Sequence, residues 1–311
     1  MLSSSMIAFQ SDPLDRLNVK TDTTLCLAHE AQKRNFKLFS YTPKLLTHNQ
    51  NKTLAYGNFF KFNSENQLQK QQENEYLDLN EAKFVLIRQN PPFDLSYLTN
   101  TFILEHLSQE TLVLNNPQSL RMMSEKLSIL DFPHLIPPTL VTSDLQEIIH
   151  FLDSHKKSVV KPLFEYGGRG VLFLSAKDPN KYSLIELYLD RYPEGIMVQQ
   201  FIPEVKEGDK RIILINGNPV GCFLRKPQIN EIRSNLRVGA AAVPSILTQK
   251  DHEICEALSS SLKKLGLYLV GIDVIGSYLT EINVTSPTGF MTLKELYGIK
   301  AAELFWDGLG V

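Results

Sequence analysis

Apolar and polar positions along this chain fall into short blocks whose period changes between strand-like and helix-like. Residues 5–9 read as a short buried strand, and residues 25–35 place Leu25, Ala28, His29 and Gln32 at helical intervals behind a cap at Asp22 or Thr23. Residues 37–41 form a second strand, so strand, helix and strand predict a βαβ unit in a parallel sheet. Residues 63–75, NSENQLQKQQENE, are almost devoid of apolar side chains and read as an exposed excursion, not a domain boundary. A continuous apolar strand follows at 84–88, then a helix at 95–107 and a short strand at 112–115. The turn Asn116-Pro117-Gln118-Ser119 opens a helix expected from 120 to about 129.

The middle of the chain carries a different signal. Pro133, Pro137 and Pro138 mark a connector, and Ser143 with Gln146 makes a capping box for a helix to about residue 154. Residues 158–163, SVVKPL, are a strand with Lys161 inside it; such a lysine either snorkels to water or meets an anion. Gly167-Gly168-Arg169-Gly170 and a strand at 171–175 come next. Together they predict a hairpin flap whose bare backbone amides can cradle phosphates. It is not a P-loop, since no GxxxxGK[ST] occurs and no helix follows. Residues 197–202, MVQQFI, are a further strand able to offer backbone groups to a base edge, as any strand can.

Two hairpins dominate the last third. Residues 210–215 and 219–224 flank Asn216-Gly217-Asn218, a strong turn signal. Their open end gathers Lys210, Arg211, Arg225 and Lys226, which a solvated face explains as readily as an anion site. Residues 226–242 lack periodicity and hold Arg233 and Arg237, as suits a loop closing over an anionic substrate. Thr248 and Asp251 begin a helix to Leu265 that Gly266 ends. The second hairpin, LYLVGIDVIGSYLTEINVTSPTG at 267–289, sets Asp273, Glu281 and Asn283 among apolar neighbours. Glu281 and Asn283 share a strand face, but a plain two-residue turn at Gly276-Ser277 would turn Asp273 away. A three-residue loop or a bulge is therefore expected. Two carboxylates and an amide oxygen then suit a hard cation such as Mg2+ completed by water and phosphate. The competing reading is a buried acid held by backbone donors.

Composition narrows the classes. With 311 residues, 43% of them hydrophobic, the chain can bury a large core and divides into two or three domains. A net charge of −2 leaves no basic surplus for nucleic acid or an anionic membrane. The three cysteines show no CxxC spacing and the seven histidines no HExxH pair, so neither a disulfide framework nor a zinc site is expected. The start, MLSSSMIAF, does not read as a signal peptide, and no apolar run is long enough to span a bilayer. A soluble cytoplasmic protein is expected.

At the carboxyl end of the strand at 84–88, Arg88 opens RQNPPFD. There it either meets a substrate carboxylate or closes a loop by ion pairing. That motif, with DPLDRLNVKTDTT, NNPQSLRMMSEKL, VVKPLFEYGGRG, the DKR tripeptide, RSNL and the long hairpin, makes the chain resemble the ATP-grasp ligases, and among them the bacterial glutathione synthetases, almost from end to end. The spacing D-x7-E-x-N before SPT is the most specific part.

The resemblance implies an α/β (α+β) ATP-grasp fold, with a parallel-sheet pre-ATP-grasp domain at 1–122, a small lid subdomain at 123–203 and a C-terminal subdomain at 204–311. It implies ATP, two Mg2+ ions with Mn2+ as a possible substitute, the small-molecule substrates γ-glutamylcysteine and glycine, and a homo-oligomer. By the match, Lys126, Lys161, Gly167 and Gly168 hold phosphates, Gln199, Gln200, Phe201 and Ile202 line the adenine pocket, and Asp209 meets the ribose. Asp273, Glu281 and Asn283 hold the metal, and Arg211, Arg225 and Arg233 act on the reacting groups. Arg88, Asn235, Ser286, Pro287 and Thr288 bind substrate. The chain departs from the family pattern at Glu165, Asn90 and Ala240. A ligase for another amino acid pair, or a nucleotide-binding homologue without activity, are the alternatives.

Overall fold

The computed structural model describes residues 6–71, 73–228, 231, 233–234 and 239–311. The chain lays down three sheets in succession. The first begins with strand β1 (Met6–Gln10), helix α1 (Thr23–Lys33) and strand β2 (Lys37–Tyr41), the predicted βαβ unit, with β1 and β2 parallel. Asp22 caps α1 by accepting the Thr24 and Leu25 amides. Antiparallel strands β3 (Leu46–Asn49), β4 (Lys52–Phe62), β5 (Leu68–Lys70) and β6 (Glu75–Asp78) extend this sheet on one side. The described residues of the polar segment at 63–75 are thus surface-lying as expected, but Leu68–Lys70 among them form β5, which pairs with β4. On the other side β7 (Phe84–Ile87) pairs parallel with β1. After helix α2 (Leu95–Leu104), strand β8 (Leu112–Leu114) pairs parallel with β7.

Helix α3 (Pro117–Met122), capped by Asn116, is shorter than the pattern predicts. The expected helix to about residue 129 breaks because a distant strand claims its backbone. The Glu125 carbonyl accepts the Ile282 amide at 2.9 Å, and only a short 3-10 stretch, Leu127–Asp131, follows.

The second sheet is antiparallel. Strand β9 (Thr139–Thr142) and helix α4 (Leu145–His155) lead into β10 (Lys157–Pro162) and β11 (Leu172–Ser175), then helix α5 (Lys181–Arg191) and β12 (Ile196–Gln200). Its order is β11-β10-β12-β9. The cap of α4 is Asp144, accepting the Gln146 and Glu147 amides, and not the predicted Ser143. A carboxylate one residue closer to the first turn outcompetes the hydroxyl.

In the third sheet, β13 (Asp209–Ile215) and β14 (Asn218–Lys226) form the predicted hairpin, with Asn216 and Gly217 both left-handed at φ 48° and 71°. Strand β15 (Ala241–Pro244) and helix α6 (Gln249–Lys264), with its Thr248/Asp251 capping box, precede β16 (Leu269–Ile275) and β17 (Tyr278–Asn283). Helices α7 (Phe290–Tyr297) and α8 (Ala301–Asp307) close the chain against α1 and bury Phe305 and Trp306.

The register of the last hairpin settles its parity. Ile275 pairs with Tyr278 across the two-residue turn, and Val274 with Leu279, but Asp273 pairs with Glu281. Thr280 is the extra residue of a bulge, and its hydroxyl donates to the Asp273 carbonyl at 3.1 Å. The bulge, one of the two expected solutions, brings Asp273 opposite Glu281.

Candidate active site

Asp273 lies on the strand between β13 and β17, and cations reach it from β13 and β14. Arg211, directly opposite on β13, donates through Nε and Nη2 to the two Asp273 oxygens at 2.6 and 3.1 Å. Arg225 reaches the same carboxylate at 2.8 Å and also contacts Asp209. Asn283 Nδ2 donates to Asp273 Oδ2 at 3.3 Å. Burial by itself would raise the Asp273 carboxyl, but the Arg211 and Arg225 guanidiniums override it and hold the carboxyl at about 2. Asp209 is pushed up to about 6, chiefly by burial, with Arg225 opposing the rise. Asp209 Oδ1 and Arg225 Nε are buried and without a hydrogen-bond partner.

Two cavities open on this group. The first, about 700 Å3, lies between the second and third sheets. Lys161, Gly168, Gln199, Gln200, Phe201, Ile202, Asp209, Arg233, Asp273 and Glu281 line it, with apolar walls from Val159, Val171, Val205 and Ile275. Lys161 is lowered below an ordinary lysine, first by burial, while Glu281 opposes the shift. Gln199 is buried and donates to the Thr139 hydroxyl at 3.0 Å. Arg233 is held by Glu231 through Nε at 3.0 Å.

The second cavity, about 800 Å3, faces the first sheet and is lined by Lys126, Gly167, Arg211, Arg225, Glu281, Asn283, Ser286, Pro287 and Thr288. Glu281 lines both cavities. Between β10 and β11, Gly167, Gly168 and Gly170 all hold positive φ, as the predicted flap requires. Lys126 donates to the Glu165 carbonyl, which ties the flap to the chain after α3. Glu165 itself lines neither of the two cavities but a neighbouring one of about 500 Å3. Asn90 lines the second cavity and donates to Asp12 at 2.5 Å.

Not every predicted residue faces a cavity of this pair. Arg88 lines neither, being buried behind Pro287 and donating to the Pro287 carbonyl at 2.9 Å. Asn235 lies outside the described residues.

Three residues that shape the site escaped the sequence reading. Glu125 lines the second cavity and accepts the Thr285 hydroxyl at 2.8 Å; burial raises its carboxyl, and Thr285 opposes the rise. Asn115 donates to the Leu269 and Val284 carbonyls at 2.8 and 2.7 Å and accepts the Leu269 amide at 2.9 Å, clasping both strands of the last hairpin. At Gly271 an added Cβ would sit 2.7 Å from Arg211 Nη1, so the glycine leaves room for that guanidinium. An isolated glycine within a strand is the only advance signal among the three.

Comparison with known proteins adds a second line. Residues 6–121 match the model of the prokaryotic glutathione synthetase N-terminal domain, and residues 125–298 that of the prokaryotic glutathione synthetase ATP-grasp domain. A glutathione synthetase of Mesorhizobium japonicum is 41% identical over 310 residues, covering 97% of both chains. One of Bradyrhizobium diazoefficiens is 43% identical over 309 residues, covering 97% of this chain and 96% of its own. Among solved structures, a D-cycloserine synthetase has a TM-score of 0.67 at 13% identity, covering 98% of this chain and 99% of its own. A Chryseobacterium gregarium RiPP-associated ATP-grasp ligase, solved with ADP and a leader and core peptide, has a TM-score of 0.64 at 15% identity, covering 97% and 96%. These structural likenesses show a shared ATP-grasp fold, whereas the sequence matches run through both halves. This chain belongs to the prokaryotic glutathione synthetase family.

Proposed function

We propose that this chain joins γ-glutamylcysteine to glycine at the expense of ATP through an acyl phosphate. A cysteinyl carboxylate oxygen attacks the γ-phosphorus, the bond to the bridging oxygen breaks, and ADP leaves. The glycine amine, having lost a proton, attacks the acyl carbon, and phosphate departs with the former carboxylate oxygen. The observation that carries this reading is the meeting of the two cavities at Glu281. One is apolar enough for a nucleotide base, and the other carries the arginines a carboxylate acceptor needs.

In this reading Lys126, Lys161 and the Gly167-Gly168 flap take the phosphates, Gln199 to Ile202 border adenine, and the unpartnered Asp209 oxygen meets ribose. Phosphates and carboxylate repel each other, and the Arg211, Arg225 and Arg233 guanidiniums offset that repulsion as charge moves. Ser286, Pro287 and Thr288 border glycine, with Arg88 and Asn235 serving the other substrate. Asp273, Glu281 and Asn283 carry oxygens of the kind Mg2+ takes; both Asp273 oxygens are engaged by Arg211 and Arg225, whereas no ion pair to Glu281 occurs among the described residues, so Glu281 would lead in taking a cation. The full reading has two ions, replaceable by Mn2+, which these residues would hold and which would supply neutralisation of phosphate charge. The division at residues 122 and 203, a homo-oligomeric state and a cytoplasmic location belong to the same proposal.

An isotope experiment tests the acyl phosphate. With the cysteinyl carboxylate labelled with oxygen-18, one label per turnover should appear in inorganic phosphate. Unlabelled phosphate accompanying labelled product would exclude this route.

A further inference from the structure

Glu165 stands two residues before the glycine pair of the flap, of which Gly167 borders the second cavity and Gly168 the first. A carboxylate so close to a triphosphate would repel it unless something holds the charge aside. Ion pairing does not do this. The Lys126 ammonium takes the Glu165 backbone carbonyl, and no side chain among the described residues pairs with the carboxylate. Glu165 is half-buried and borders the neighbouring 500 Å3 chamber.

One hydrogen-bond donor beside the flap is idle. Helix α5 and its C-cap carry Tyr188 and Tyr192, whose ring centres lie 4.9 Å apart. A Cβ placed on Gly170, the last glycine of the flap, would meet Pro162 at 2.7 Å and the Tyr192 and Tyr188 hydroxyl oxygens at 3.0 and 3.1 Å. The two ends of the flap thus meet where the tyrosine hydroxyls lie. The Tyr192 hydroxyl accepts Arg191 Nε at 3.1 Å, whereas the Tyr188 hydroxyl is buried and makes no hydrogen bond. Burial first, then Tyr192, raises the Tyr188 phenol, and Glu165 adds to the rise, so the carboxylate lies within electrostatic reach. A buried hydroxyl without a partner costs free energy that a hydrogen bond to a carboxylate would recover.

We infer that Tyr188 and Glu165 are positioning residues of the flap: as it closes over a triphosphate, the Tyr188 hydroxyl donates to the Glu165 carboxylate, drawing the charge toward α5 and fastening the flap. The inference rests on the placement of the phosphates in the ligase reading above. The bond belongs to the closed flap, so it contributes to nucleotide affinity and not to the stability of the free chain. It also gives a use to the carboxylate at 165, where the chain departs from the family pattern.

Calorimetric titration with magnesium-bound β,γ-imido ATP and with AMP, alongside urea unfolding, tests the inference. Tyr188→Phe should bind the imido analogue about tenfold more weakly, the loss of one hydrogen bond to a charged acceptor, and bind AMP as before. Its urea midpoint should stay or rise, because removing an unpartnered buried hydroxyl orphans no other group. In a Glu165→Ala background, which has neither the acceptor nor the repelling charge, Tyr188→Phe should cost no further affinity. A merely structural tyrosine would lower the urea midpoint and weaken both ligands in either background. An unchanged affinity of Tyr188→Phe for the analogue would overturn the inference. So would an equal loss for AMP, or the same loss in the Glu165→Ala background. Lys161→Met checks the phosphate placement separately. Undiminished analogue binding there would remove that placement, while a Tyr188 effect that depends on Glu165 would still establish the latch. Weakened binding in Lys161→Met without that dependence would do the reverse.

Discussion

Glu281 borders both cavities, and in the proposed reading its carboxylate bears on nucleotide and acceptor together. Glu281→Ala should cost roughly 3 kcal/mol of transition-state stabilisation, about 100-fold in kcat/KM. Near-normal steady-state turnover would contradict its assignment to the metal. Asp273 makes a prediction about pH. Its carboxyl stands at about 2 in the folded chain against an ordinary 3.8. The unfolded chain therefore binds the extra proton between those values. The pairing stabilises fully above the unfolded value and is lost as pH falls through about 2. Urea unfolding measured down through this range should show a steeper loss of stability than Asp273→Asn, by about one proton. Equal slopes would mean that the arginines do not hold the carboxylate. Gly271→Ala would crowd Arg211 and should cost about 1–3 kcal/mol of stability, read from the same urea curves.

At the scale of elements, what the sequence made legible was local chemistry. Asn216-Gly217 dictates its own hairpin, and the Thr248/Asp251 box its own helix start. Even the bulge in the last hairpin was legible, because side-chain parity forces it if Asp273 is to face Glu281. The break after α3 was not, since its cause is the Ile282 amide, far along the chain. Nor was the Asn115 clasp, because one asparagine before a proline turn carries no sign of the two strands it will hold. The clasp has a measurable consequence. Asn115→Ala orphans two buried carbonyls and an amide, and should destabilise the chain by about 2–4 kcal/mol in urea unfolding. A loss within experimental error would show the clasp to be dispensable.

Across the whole molecule, the site exists because the segment at 286–289 is fastened to the first sheet. Ser286 donates to the Arg88 carbonyl at 3.1 Å, Arg88 returns a bond to Pro287, and the Gly289 amide donates to the Thr23 hydroxyl at 3.2 Å. These bonds close the second cavity between regions nearly 200 residues apart in sequence, a closure that local pattern does not encode. The family was legible through its motifs; the junction that makes a two-chamber site was not. The enzymatic reading stands or falls on coupled turnover with γ-glutamylcysteine, glycine and Mg-ATP. One ADP should appear for each γ-glutamylcysteinylglycine formed, with tripeptide formation lost when glycine, the dipeptide or magnesium is withheld. Absence of ADP release above background with all components present would contradict it.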